Sequence, residues 1–193
     1  MTRLLQNKLV LTATILIAFV LLITMTGLYP VALVDRAPIW RNHLQKAEEA
    51  EKKLTNTQAK SLGFKPVNFT SSGNADLLRG LRQDILTTMI ENKIIEKEGK
   101  KIISNFEELS RKRMTDTLQG GDADLAKAVR TVYNLSLKDF QNMVLLPQSR
   151  RDVLRVFLAN EGKNFEEWFK KIKLETKIRL FLVPFRWDGE KVK

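Results

Sequence analysis

Residues 77–103 read LLRGLRQDILTTMIENKIIEKEGKKII, and this stretch decides the fold. Leu78, Leu81, Ile85, Met89, Ile90, Ile94 and Ile95 recur at the 3.6-residue period of a helix, while Arg82, Asp84, Glu91, Lys93, Glu96 and Lys97 populate the other side. A helix this long with one apolar stripe must seal that stripe into a core. The predicted fold is therefore mainly α, and each other segment is read by what it offers this helix.

Upstream, residues 63–73 (GFKPVNFTSSG) are rich in Gly, Pro and Ser and predict a loop, with Asn74 or Asp76 placed to cap the long helix. Before the loop, an amphipathic helix is expected from Ile39 or Trp40 to about Lys60, with Trp40, Leu44, Ala47, Ala50 or Glu51, and Leu54 along one side. Downstream, a short helix is expected over Phe106–Leu118, stopping at Gly120 and Gly121, then another from Asp122 to Tyr133. Ser136 with Asp139 in the first turn predicts a third helix, running to Asn160. Pro147 removes a backbone donor from it and crowds the preceding turn, so a break is expected near Val144–Leu146. Asn164 caps a last helix bearing Phe165, Trp168, Phe169 and Ile172.

The two ends of this helical region are β-prone. Val31–Val34 precedes a turn at Asp35 and Arg36, and residues 178–187 read IRLFLVPFRW. No other segment offers either one a strand partner, so the ends are expected to pair in a small sheet.

Residues 9–29 contain no charged residue. At about 1.5 Å per residue a helix over this run spans roughly 30 Å, the hydrocarbon thickness of a bilayer. The run exceeds the apolar core of a cleaved signal peptide and lacks a good cleavage site, so an uncleaved transmembrane anchor is expected. The short flank before it, residues 1–8, carries Arg3 and Lys8 and favours an N-terminus on the cytoplasmic side. The expected organisation is a basic flank (1–8), the anchor (9–29), a helical domain (30–187) and a tail (188–193). The protein is thereby placed in the cell membrane as a single-pass protein with an extracytoplasmic domain.

The 193 residues carry 33 Lys and Arg against 22 Asp and Glu, a net charge of +11. The bases are interleaved with acids, as on solvated helix faces, with denser groups at Arg111, Lys112 and Arg113, at Arg150 and Arg151, and at Lys170 and Lys171. Beside a membrane such groups favour anionic head groups; nucleic acid is not an expected partner. With no cysteine and one histidine, thiolate metal sites, disulfides, cysteine nucleophiles and His-rich metal sites are excluded. His43 has no carboxylate or second ligand near it in sequence, and Gly120 and Gly121 lack the following Lys-Ser/Thr of a phosphate loop. No catalytic, cofactor-binding or metal-binding residue is assigned, and an enzyme is not expected. What remains is apolar surface. Met89, Met114 and Met143 recur on three helices, and Phe106, Leu109 and Leu118 lie on a short one. Either they fill the core, or they line an adaptable groove for unfolded or nascent polypeptides with a basic rim that adds long-range attraction.

A resemblance sharpens the second alternative. The run Leu81, Arg82, Ile85, Leu86, Ile90, Ile94, Ile95, Glu98, Gly99, Lys100 and Lys101, followed by Asn105, Phe106, Glu107, Glu108 and Leu109, resembles the central helix of SurA-type chaperone N-terminal domains. The order of elements over Val31–Val183 is similar as well, best over Leu78–Lys101 and Leu135–Phe157, and the anchored arrangement resembles PpiD-type foldases. The resemblance implies binding of unfolded polypeptides without turnover. In that family a parvulin isomerase domain with paired histidines often follows; His43 stands alone, so isomerase activity is not expected. The alternative is a non-catalytic scaffold that docks one dedicated partner in a membrane complex.

Overall fold

A computed structural model describes residues 27–118 and 122–193. The expected anchor up to residue 26 and the expected stop at Gly120 and Gly121 lie outside the described residues. Among those described, no helix is long and apolar enough to cross a membrane. The domain is mainly helical with a three-stranded sheet.

The sheet joins the two ends of the domain, as their composition predicts. Strand β1 (Pro30–Val34) is central and pairs antiparallel with β2 (Ala37–Trp40) and with β3 (Ile178–Leu180). The turn from β1 to β2 passes through Asp35, at a φ of 54°, a left-handed conformation that Asp tolerates. The Asp35 backbone N–H donates to the Lys177 carbonyl, and its side chain accepts from the Lys177 N–H. Strand β2 corrects the expectation that a helix opens at Ile39 or Trp40. Instead, helix α1 (Arg41–Ser61) begins one residue beyond it. Strand β3 is also shorter than the apolar run 178–187. Beyond Leu180 the chain turns away through Leu182, whose φ is 54°, and then meets Pro184.

A loop and a 3₁₀ turn (Ser72–Asn74) lead to α2 (Ala75–Ile102), the long helix. Asn74 sits at its N-cap without capping through its side chain, which donates to the Asn68 carbonyl. Helix α2 buries Leu86, Ile90, Ile94 and Ile95 completely. Each such side chain contributes about 1.5–3 kcal/mol by leaving water. Near its end, Gly99 lies under the ring of Phe106, where a Cβ would come within 2.3 Å of the ring, so only glycine fits.

Phe106 opens α3 (Phe106–Thr117). Then follow α4 (Asp122–Tyr133), a one-turn α5 (Leu137–Phe140) capped by Ser136, a π turn over Gln141–Leu145, and α6 (Leu146–Asn160). The π turn is the form taken by the break expected before Pro147. The proline ring presses on the carbonyl four residues back, that of Met143, and the backbone widens there. Helix α7 (Phe165–Glu175) is capped by the Asn164 side chain, which accepts from the N–H groups of Glu166 and Glu167. Residues 188–193, expected as a tail, pack back on the domain. Val192 is buried, pairs with Trp187, and donates its N–H to Thr87 Oγ1.

The apolar interior falls into two parts. The main core joins the sheet to α2, α6 and α7 and includes Phe106, Leu154, Leu158, Phe165 and Phe169. A smaller cluster of Ala50, Val129 and Leu135, with Tyr133, Phe140 and Met143 against it, binds α4 and α5 to the middle of α1.

Candidate functional site

Between these two clusters runs an open groove of about 930 Å³. Its floor is α2. The long helix carries two neighbouring apolar lines with a four-residue step, rather than one. Leu86, Ile90 and Ile94 enter the core, whereas Leu81, Ile85 and Met89 lie beside them, half-buried, and face the groove. Helix α4 packs on α1 and α5 instead of covering this second line. One wall is α1, through Ala47 and Ala50; the other comes from Tyr133, Leu135, Met143, Val144 and Pro147. Widening of the backbone at the π turn presents Met143 and Val144 to the opening, and Val144 is an exposed side chain.

Local chemistry fixes the far wall. Asn134 adopts a φ of 57° between α4 and α5, and the Tyr133 and Phe140 rings pack at 5.1 Å across that turn. The Ser136 hydroxyl accepts from the Asp139 N–H and donates to Asp139 Oδ2. Lys46 of α1 reaches the same carboxylate at 2.6 Å, tying the wall to α1. The Lys46 ammonium, with Ser136, holds the Asp139 carboxyl below its ordinary range.

The charges along the groove differ from the basic rim that the composition suggests. Lys46 is bound to Asp139, Lys93 to Glu96, Arg150 to Glu96 and Glu107, and Arg151 to Glu91. Glu51 and Asp84 also line the groove, and neither has an ion-pair partner among the described residues. Its uncommitted charge is thus negative, because the cations serve the structure. Glu96 shows how firmly. Burial opposes its charge, but hydrogen bonds from Lys100 and Lys93 and the Arg150 guanidinium outweigh that, and its pKa falls from 4.5 to about 2.

The side chains expected to bind polypeptide separate into three groups. Met89 and Met143 both line the groove, from α2 and the π turn. Phe106 is 1% exposed in the main core against Gly99 and is not available to a ligand, which corrects its place among them. Leu109, Met114 and Leu118 sit on and just after α3, exposed or half-buried, and do not line the groove. Sequence reasoning missed Leu81 and Ile85 as site residues because both read as core in a single stripe. Their signal is the four-residue step Leu81, Ile85, Met89 running beside Leu86, Ile90, Ile94. His43 lies exposed on the α1 wall. Among the described residues, no group of three or more metal-ligating side chains is arranged to hold a metal ion.

No protein-family model, no curated protein and no solved structure matches the chain.

Proposed function

We propose that this protein is a membrane-tethered, extracytoplasmic chaperone of the holdase kind, which shields unfolded polypeptide segments in the groove above α2. The observation that carries the proposal is the second apolar line of α2. Leu81, Ile85 and Met89 are only half-buried and line an open groove that Met143 lines as well. Flexible methionines on both sides suit many apolar side chains and prefer none. The SurA-like helical pattern and the uncharged run at residues 9–29 support the same reading. Glu51 and Asp84 add a preference: segments in which apolar residues alternate with Lys or Arg bind better than equally apolar acidic ones. Binding and release need no covalent step.

The test uses the full chain in lipid nanodiscs, with several unrelated proteins driven to unfold at stoichiometric ratios. Suppressed aggregation of all of them is the expected result. It is lost in the double variant Met89→Glu, Met143→Glu, which places two charges in the groove and whose urea midpoint, measured alongside, separates lost binding from lost packing of these half-buried side chains. Suppression unchanged in that variant removes the groove from the function; capture of one folded partner and no unfolded chain replaces the chaperone with a scaffold.

A further inference from the structure

We infer that the end of the sheet beside Gly27 is a lipid-docking surface, which seats the domain on the membrane through Leu28, Trp40, Phe181 and Leu182. The inference rests on the anchor reading of residues 9–29 and is independent of what the groove binds.

The placement comes from the sheet register. Pro30 pairs with Trp40 on one side of β1. On the other side Ala32 pairs with Leu180, and the Phe181 N–H donates to the Val31 carbonyl, which brings Leu182 alongside the start of β1. The start of α1 closes the same corner, with Arg41 N–H donating to the Tyr29 carbonyl and Asn42 N–H to the Gly27 carbonyl. Four large apolar residues therefore fall at one end of the sheet, and all are exposed: Leu28 by 53%, Trp40 by 36%, Phe181 by 37% and Leu182 by 82%.

Leu182 is the most informative of them. At a φ of 54° a leucine pays a backbone penalty that Gly or Asn would avoid, and its side chain gains nothing from the protein core. In water both features are unfavourable; at a bilayer interface the side chain is in its preferred solvent.

The occupant is set by what adjoins the patch. The chain enters it at Gly27 directly from residues 9–26, which carry no charge. On leaving Leu182 it passes into a shallow recess lined by Arg79, Val183, Pro184, Phe185, Arg186 and Lys193. Arg79 and Arg186 have no ion-pair partner among the described residues. Apolar side chains with an interfacial tryptophan, bordered by free guanidinium groups, match the boundary between acyl chains and phosphates.

Because the chain has no cysteine, Leu182→Cys gives one unique labelling site, and Leu62→Cys gives a second in a separate variant. Both positions are exposed, so neither change disturbs the core. Leu62 follows the far end of α1, about 30 Å from Trp40 by helical rise. Each variant of the full chain is spin-labelled in phosphatidylcholine and phosphatidylglycerol vesicles, and the label's accessibility to oxygen and to a water-soluble nickel chelate is measured. The expected result is an oxygen-dominated reading at residue 182 and a chelate-dominated one at residue 62. Chelate-dominated readings at both sites, in a chain that still floats with vesicles after alkaline washing, overturn the docking surface and leave the anchor standing. A chain washed into the supernatant overturns the anchor, and the docking surface with it.

Discussion

The two apolar clusters that flank the groove differ in how they are held. Around the main core, every adjoining helix is joined to a neighbour by ion pairs as well as by packing. Arg150 of α6 bridges Glu96 of α2 and Glu107 of α3, with N–O distances of 3.4 and 2.8 Å. Glu91 of α2 accepts both Arg151 of α6, at 3.3 Å, and Lys173 of α7, at 3.0 Å, while Lys97 reaches Asp35 in the β1–β2 turn. The buried Glu48 joins α1 to α2 through Arg82, at 3.1 Å, and also accepts from Arg41. The smaller cluster has three buried apolar residues and, among the described residues, one ion pair from α1 to α5, Lys46–Asp139. Packing that sparse opens locally at a fraction of the global unfolding energy. The groove therefore has a hard floor and a soft wall, an arrangement that fixes where a segment lies while letting its width vary.

The most damaging way to probe this contrast is Phe106→Ala. Removing the ring above Gly99 should cost about 3–5 kcal/mol and lower the midpoint of a single, global urea transition. Leu135→Ala, in the small cluster, should instead expose α4 and α5 to hydrogen exchange while the main transition moves less. Equal midpoint shifts for the two variants would merge the clusters into one cooperative unit.

Acid should act next, and on the hard side. Glu96 titrates near 2 when folded and near 4.5 when released, so the unfolded chain takes up its proton first. Its contribution is complete above about pH 5 and disappears as the pH falls toward 2, the sign expected of a carboxylate whose folded pKa is depressed. Glu107, whose charge burial opposes but Arg150 and Lys100 favour, shifts in the same direction. Thermal melts between pH 6 and pH 2 should show a fall that Glu96→Gln flattens. An acid dependence unaltered in that variant would remove these pairs from the stability of the core.

The smallest effect belongs to Lys46→Ala. Breaking a half-exposed pair costs under about 1 kcal/mol globally. It should raise hydrogen exchange in α5 and the π turn and leave α2 unchanged. Loosening of α2 to the same degree would deny the wall its independence.

The sequence makes legible those features that local chemistry decides. The α2 period, the Ser136 and Asn164 caps, the Pro147 break and the β-prone ends all express preferences of a few adjacent residues, and each is present in the fold. Strand β2 is not legible in this way. Ala37–Trp40 contains a proline and is only four residues long, so its state follows from β1 beside it and not from its own propensity. The candidate site is legible in part. Met89 and Met143 are the kind of residues a groove needs, but Phe106 has the same local character and lies in the core. Which apolar residue is covered depends on whether another element arrives above it. Lys93 pairs with Glu96 three residues on in α2, but no local pattern shows that Lys46, Arg150 and Arg151 are engaged by carboxylates of other elements, leaving Glu51 and Asp84 as the charges without an ion-pair partner among the described residues.

The sheet register also sets a timetable for synthesis. Strand β1 is the middle strand, yet it leaves the ribosome before all the helices of the domain, and β3, its second partner, only after them. Until then the β1–β2 hairpin presents an unpaired edge, the sort of edge that captures other strands. Closure must wait until Ile178–Leu180 has emerged, because no contact formed earlier can substitute for a partner at the far end of the domain. A chain truncated before Ile178 would therefore be left with an open sheet, prone to aggregate instead of forming a smaller stable domain.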